Sequence, residues 1–354
     1  MMVKSLLFFQ IVALLLSSAL VSGNGGTESN SSSVDAGNDG RLAERSHNVR
    51  FNSDRRPNVG QIPLEGSIPQ REDSGFLPSN VTLKWFATDL DGTFIAHNSV
   101  VMRRNIDAFV NARMNGVNVF FCTGRGFNPS INLLSAEDRM NANYQGYPGI
   151  YYNGSLVYGP DGSVLRAFHL KPEVVKHILD VIMANNYMDN VIFFTLDHCF
   201  IISDNKPYLE QIRVQVGSTW DLEITTIERI LSEEILRIAI IDYYNIKEWL
   251  KHIEGIEFII KRTRERVTDL TAPGITKGSG LEVLLKELKA SPSEGAYIGD
   301  AENDIEAMDL IDYSFAVGNA DDSVKAHAKY VLEETNEEGA FAKAVSLLFG
   351  IETD

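Results

Sequence analysis

Asp89 and Asp91 stand two residues apart in the string Asp89-Leu90-Asp91-Gly92-Thr93, directly after a short apolar stretch at residues 83–87. Two carboxylates so placed, ending a strand and opening onto a glycine, can divide one job. The first can attack a phosphorus atom as nucleophile, and the second can hand a proton to the departing oxygen. Gly92 lets the backbone turn away tightly, and Thr93 is placed where its amide and hydroxyl can face an oxyanion. Taken alone, the string is equally a strand ending in a common Asp-Gly turn.

Three later segments supply companions. Residues 117–122 are apolar except for Asn118 and lead into Thr123-Gly124-Arg125. Lys277, in Gly274-Ile275-Thr276-Lys277-Gly278, precedes a helix-like stretch at 281–288, and Tyr297-Ile298-Gly299 leads into Asp300-Ala301-Glu302-Asn303-Asp304. Each has an ordinary reading: a Thr-Gly turn, a solvated lysine, an acidic helix start favoured by the macrodipole. Arg125 can contact a substrate or pair with an acidic neighbour.

In this order and spacing the four segments resemble the four motifs of the haloacid dehalogenase-like (HAD) phosphohydrolases. The segments Cys122-Thr123-Gly124-Arg125, Tyr152-Asn153-Gly154 and 273–278 further resemble its Cof-type sugar-phosphatase branch. The resemblance covers residues 84–349, specific in the core and looser in between. It implies Asp89 as nucleophile, Asp91 as acid and base, Thr123 bonding a phosphoryl oxygen, and Lys277 neutralising charge as a point cation. It also implies Mg²⁺ held by an Asp89 oxygen, the Asp91 main-chain carbonyl and the Asp300 carboxylate, with Asn303 and Asp304 orienting those ligands. Thr93, Thr123, Gly124, Arg125, Lys277 and Asn303 are the expected substrate contacts. A phosphate monoester is dianionic, so a bridging cation relieves its repulsion of an attacking carboxylate. An acid at Asp91 argues against dehalogenation, because a halide leaving group needs no proton.

The elements that must position these residues alternate strand and helix from residue 81 onward. Ile106, Phe109, Val110, Arg113 and Met114 follow helical spacing, with Gly116 as the stop. The same rhythm returns after residue 296. Alternation of this kind implies an α/β fold: a doubly wound parallel sheet whose site lies at the carboxyl ends of its strands. About 150 residues separate Thr123 from Lys277, far more than one crossover needs. The resemblance makes this insertion a type-two α+β cap of two αββ-like halves, with helices over 172–183 and 246–253 and strands over 192–194, 200–202 and 235–241. The expected domains are a catalytic core at 81–157 and 263–354 and a cap at 158–262.

Residues 1–23 have the layout of a secretory signal: Lys4, an apolar run over 6–21, then small residues. An uncleaved membrane anchor is the alternative. Residues 24–80 are rich in Asn, Ser, Gly and Pro and read as disordered linker. Six arginines there allow onward targeting of a plastid type, against eight acidic residues that oppose it. The chain is therefore expected to enter the secretory pathway, to be secreted, kept near the ER or sent onward. Asn30, Asn80 and Asn153 begin glycosylation sequons; at Asn153 a hinge into the cap is the preferred reading. No other segment is apolar and long enough for a bilayer span.

The formal charge of −16 argues against nonspecific nucleic-acid binding. The two cysteines, Cys122 and Cys199, form neither a disulfide framework nor a zinc pattern. The reading reached is a Mg²⁺-dependent phosphatase of small phosphorylated metabolites (sugar, polyol or nucleotide phosphates), working through an aspartyl-phosphate. A sugar-phosphate phosphotransferase or mutase, and a noncatalytic metabolite-binding regulator, are the alternatives.

Overall fold

Four consecutive buried residues, Trp85–Thr88, form β1, and their unbroken burial is what a strand covered on both faces requires. The structure, a computed structural model, describes residues 82–203, 222–241, 248, 250, 257–264 and 267–352. The signal-like segment, the polar stretch 24–80, the sequons at Asn30 and Asn80, and most of the helix expected over 246–253 lie outside the described residues.

The helix Ser99–Met114 follows β1; Asn98 caps it by accepting from the Val100 amide at 2.9 Å. Ile106, Phe109 and Val110 face the core as their spacing requires, whereas Met114 is exposed at the helix end. Next comes β2, Asn118–Phe121. The chain then makes β3 (Gly149–Tyr151), β4 (Leu156–Tyr158) and β5 (Val164–Ala167), a three-stranded antiparallel sheet. A bridge between Cys122 and Ile150 joins β3 to the end of β2.

A second, six-stranded sheet holds β6 (Val191–Phe194), β7 (Cys199–Ile201), β8 (Leu222–Ile224), β9 (Arg237–Ile241), β10 (Ile259–Arg264) and β11 (Val267–Thr271). Its order is β10-β11-β9-β6-β7-β8. After the helix Lys277–Leu288 the chain returns to the first sheet through β12 (Gly295–Gly299), β13 (Tyr313–Ala316) and β14 (Tyr330–Val331), and the helix Ala340–Phe349 follows. That first sheet is parallel throughout, with order β14-β13-β12-β1-β2. The chain runs outward from β1 to β2 on one side and through β12, β13 and β14 on the other. The direction of winding thus reverses between β1 and β12, where an open α/β sheet forms its crevice.

Rings fill the core around the parallel sheet. Phe341 stacks on Phe86 at 5.4 Å and meets Phe94 edge-on at 4.8 Å, while Phe109 lies 5.2 Å from Phe121. Buried rings of this size each contribute several kcal/mol, about 3–5 on truncation to alanine. The six-stranded sheet has an apolar layer on each face. Phe193, Ile238 and Ile240 pack with Ile178 and Leu179 of the helix Pro172–Ala184. Ile192, Phe194, Ala239 and Ile241 face Tyr151, Tyr152 and Leu156 of the three-stranded sheet. Alternate residues of β9 therefore serve two cores.

The sheets bear on the expected domain limits. β11 lies beyond residue 262 and pairs with β9 and β10 inside the six-stranded sheet. β5 lies beyond residue 158 and pairs with β4, and Arg166 reaches Ser279 at the start of the helix Lys277–Leu288. Among the described residues, no helix is long and apolar enough to cross a membrane.

Candidate active site

The carboxyl ends of β1 and β12 lie side by side, and each is followed directly by an aspartate. Thr88 pairs with Ile298, the Asp89 amide donates to the Ile298 carbonyl at 3.0 Å, and Asp300 follows Gly299 on the neighbouring strand. The Leu90 carbonyl then accepts from the Phe94 and Ile95 amides and turns the chain back. Gly92 takes φ +79°, and a side chain there would run into the Asp300 carboxylate. Glycine is needed both for the turn and for the close approach. Thr93 does not face an open anion site as expected: its hydroxyl donates to Asp300 Oδ1 at 2.9 Å, the nearest strong acceptor.

Lys277 opens its helix and is fully buried, so its reading as a solvated residue is wrong. A cation at a helix N-terminus is disfavoured by about 0.3–1 kcal/mol, so tertiary partners must hold it there. Its ammonium lies 2.5 Å from Asp89 Oδ1 and 2.6 Å from Asp304 Oδ1. Asp304 also accepts from the Tyr297 hydroxyl and, through Oδ2, from the amides of Asp300 and Ala301 at 3.0 Å. Its place is that of a brace for the loop carrying Asp300.

One oxygen from each of Asp89, Asp300 and Asp304 falls within 4.8 Å of the others. Burial pushes the Asp89 carboxyl up to about 7; Lys277 opposes this, while Asp304 and Asp91 add to it. Burial, then Asp89 and Asp304, holds Asp300 well above the carboxylate range. Burial alone would lower Lys277, but Asp304 and Asp89 outweigh it and keep the ammonium charged. Only when all three are ionised do the carboxylates exceed the single ammonium by two negative charges, and the upward shifts of Asp89 and Asp300 reflect their burial and that crowding. An all-oxygen donor set with that excess fits a hard divalent cation. The expected Mg²⁺ is thus compatible with the residues present.

The second strand end is tied in by backbone bonds. The Cys122 amide donates to the Thr88 carbonyl at 2.8 Å and the Thr123 amide to the Ile150 carbonyl at 2.9 Å. Thr123 is buried, and its hydroxyl oxygen accepts from the Arg125 amide at 3.1 Å. The Arg125 guanidinium grips Asp91 with two bonds, 2.8 Å from Nε and 2.6 Å from a terminal nitrogen. Of the two readings left open for Arg125, the acidic neighbour is the one found. Asn303 is also placed differently from a substrate contact. Its amide nitrogen donates to Asn153 Oδ1 at 2.9 Å, and its buried oxygen has no hydrogen-bond partner.

Asn153 is itself buried, in the left-handed region at φ +56°, and donates to Asp269 Oδ2 at 2.8 Å. This fold has no room for a glycan on an amide nitrogen so enclosed, which favours the hinge reading over the sequon. Gly154 follows at φ +98° against the Thr276 carbonyl, where a side chain would collide.

Sequence reasoning missed Arg237 and Asp269. Arg237, on β9, lies 2.7 Å from Asp269 on β11 and donates to the Gly124 carbonyl. A signal was present: each is the single charge in an otherwise uncharged run, Ile235-Leu236-Arg237-Ile238-Ala239 and Val267-Thr268-Asp269-Leu270-Thr271. Charges in such runs are buried only when paired.

The lysine provides a first test. Lys277→Met leaves Asp89, Asp300 and Asp304 without their internal cation. Breaking a buried ion pair on one side costs about 3–5 kcal/mol, so the metal-free variant should unfold at clearly lower denaturant. The deficit should shrink at acid pH, as protonation relieves the orphaned carboxylates. A denaturant midpoint equal to wild type at pH 8 would show that the pairs do not hold the site.

A doubly wound parallel sheet with acidic strand ends at its switch point, joined to an inserted second sheet, defines a Rossmann-like enzyme core with a cap. Residues 86–345 match the family model described as haloacid dehalogenase-like hydrolase. A putative HAD/COF-like hydrolase from Plasmodium vivax has a similar structure, with TM-score 0.71 and 28% identity over 77% of this chain and 97% of that one. A putative phosphatase from Mycoplasma genitalium is 25% identical over 72% of this chain and 94% of its own length. The chloroplastic endoribonuclease YBEY of Arabidopsis thaliana is 24% identical over 80% of this chain, which spans only 50% of that relative. The chain belongs to the haloacid dehalogenase-like hydrolases, in their Cof-type branch, and is a phosphoric monoester hydrolase.

Proposed function

We propose that this chain is a Mg²⁺-dependent phosphatase of small phosphorylated metabolites that works through an aspartyl-phosphate on Asp89. The observation that carries the reading is the cluster of Asp89, Asp300 and Asp304, whose oxygens lie within 4.8 Å of one another beside the buried ammonium that Asp89 and Asp304 hold. Asp89, the Asp91 carbonyl and Asp300 would hold the cation, which supplies charge neutralisation for the incoming phosphate.

The chain's own groups do the rest. Lys277 holds Asp89 Oδ1, which aims the carboxylate and leaves its second oxygen to attack phosphorus. The new bond joins that oxygen to phosphorus while the ester P–O bond breaks, and Asp91 gives a proton to the departing alkoxide. Asp91 then takes a proton from water, the water oxygen bonds to phosphorus, and the Asp89–phosphorus bond breaks to release phosphate. Arg125 meets Asp91 as a carboxylate, the form needed in the second half. To donate a proton, Asp91 must carry one on the free lone pair of an oxygen that Arg125 also bonds, so Arg125 opposes the protonated form that the first half needs. Thr123 orients a phosphoryl oxygen in this scheme, and the core-facing side of the six-stranded sheet selects the leaving group. Entry into the secretory pathway by residues 1–23 is part of the proposal and rests on sequence alone. A reporter fused behind residues 1–30 that stays in the cytosol would refute that part.

The direct test is phosphate release from several dozen phosphorylated sugars, polyols and nucleotides, with Mg²⁺ and with EDTA. Release with Mg²⁺ that EDTA abolishes is expected. Undiminished release in EDTA, or none from the panel, refutes the proposal. Phosphate retained on an isomerised product would indicate a mutase instead.

A further inference from the structure

Four buried side chains from four separate segments form a continuous path, hydrogen bonds and one ion pair, between the cap sheet and two motif loops. Arg237 on β9 donates to the Gly124 carbonyl and pairs with Asp269 on β11. Asp269 accepts from Asn153, and Asn153 accepts from Asn303, one residue before Asp304. Their exposures are 4%, 1%, 2% and 5%, so solvent screens none of these contacts. The path begins at the turn carrying Thr123 and ends at the loop carrying Asp300 and Asp304.

Burying a charged pair is a poor route to stability, because well-packed apolar residues of similar volume often do as well or better. The surroundings here are apolar: Phe194 lies under the guanidinium at 4.6 Å, and Ala239 and Ile241 continue the same face of β9. An arginine fork is suited to a different task, since its planar donors fix two acceptors in one geometry. One partner is a backbone carbonyl in the catalytic core, reached by a hydrogen bond, and the other a carboxylate in the cap, reached as an ion pair.

We propose that Arg237 is a positioning residue that seats the cap sheet on the core and thereby holds the Thr123-Gly124-Arg125 turn in register with Asp89. The inference rests on the phosphatase reading for its kinetic consequence, though not for its structural one. When Arg237 is in place, the Gly124 carbonyl is fixed, and with it the Thr123 hydroxyl and the base of the Arg125 side chain. Cap seating and assembly of the phosphoryl site become one event.

The test uses the full chain carrying Arg237→Lys or Arg237→Gln, with p-nitrophenyl phosphate as substrate. This small ester asks little of the cap for binding, so a loss of recognition cannot mimic a loss of positioning. Displacing a catalytic group by about 1 Å costs on the order of 10²-fold in rate. The Gln variant should lose about that much in kcat, the Lys variant less, with KM within about threefold of wild type, because the Asp89, Asp300 and Asp304 cluster is untouched by the substitution. Amide hydrogen exchange at residues 123–125 should quicken in the Gln variant while 296–299 stay protected. A folded Gln variant with kcat within about threefold of wild type, or a loss confined to KM, overturns the proposal. If Arg237→Gln fails to fold, Asp269→Asn serves: it keeps an acceptor for Asn153, removes the charge facing Arg237, and should show the same kcat loss. Wild-type kcat in that variant is equally fatal. Should the wild-type chain hydrolyse no phosphate ester, the functional reading fails, and hydrogen exchange alone decides the positioning claim. Faster exchange at 123–125 supports it, and unchanged exchange overturns it.

Discussion

Asp89→Asn is expected to abolish turnover, with kcat reduced by about 10⁴-fold or more, the scale seen when a covalent nucleophile is removed. The amide keeps the carboxylate's shape, yet it cannot form the acyl-phosphate bond. Lys277 retains Asp304 as a partner, so its ammonium stays compensated and the fold should persist. The measurement is phosphate release by purified, folded variant at saturating Mg²⁺. Trapping labelled phosphate on the wild-type chain and not on the variant would place the covalent step at this residue. Near wild-type release from the variant would sink nucleophilic catalysis at Asp89.

The same substitution should change how the metal-free protein responds to pH. Asp89 has an ordinary value of 3.8 and is raised to about 7 in the fold. Between those values the folded state holds a proton that the unfolded state has released. Stability must therefore fall as pH rises through that window, and the penalty is complete above about 7. Removing the group removes the penalty, so metal-free Asp89→Asn should match or exceed wild type in thermal midpoint at pH 8. At pH 4 the two should converge.

What the sequence disclosed and what it hid follow from the same physics. Strands buried on both faces leave unbroken apolar runs, so β1, β2 and β12 were plain, and the polar residue after each run marked a site position. The helix Pro172–Ala184 and the strands β6, β7 and β9 came within two residues of expectation for the same reason. β5 escaped because its residues are exposed or half-buried and show no alternation. Pairings were harder, since side-chain partners depend on which segments the fold brings together. Nothing local says that Arg125 will grip Asp91, that Thr93 will turn to Asp300, or that a lysine opening a helix will be sealed between two aspartates. Arg237 was readable as a buried charge, but its partners on a distant strand and a core turn were not.

Excising the cap is expected to separate phosphate chemistry from substrate choice. The sheets set the cut. Removing 158–262 would delete β5 from its hairpin and leave β11 without β9, whereas removing 169–273 takes the whole six-stranded sheet and spares the three-stranded one. A short Gly-Ser linker can close the gap, because Arg166 already reaches Ser279 at 3.0 Å across it. The remaining core keeps Asp89, Asp91, Thr123, Lys277 and Asp300 but loses Arg237 and Asp269. Activity on p-nitrophenyl phosphate should persist at roughly 1% of wild type or below, through looser placement of the Thr123 turn and entry of water. Selectivity should suffer more, since contacts beyond the phosphate are where remote binding energy is drawn. Rates over the metabolite panel should then converge to within about tenfold of one another. Tyr151, Tyr152 and Leu156 lose their cover, so solubility falls and circular dichroism must establish the fold first. A folded, capless core that preserved the wild-type ranking of substrates would place specificity in the core, at the mouth of the β1–β12 crevice, and not in the sheet above it.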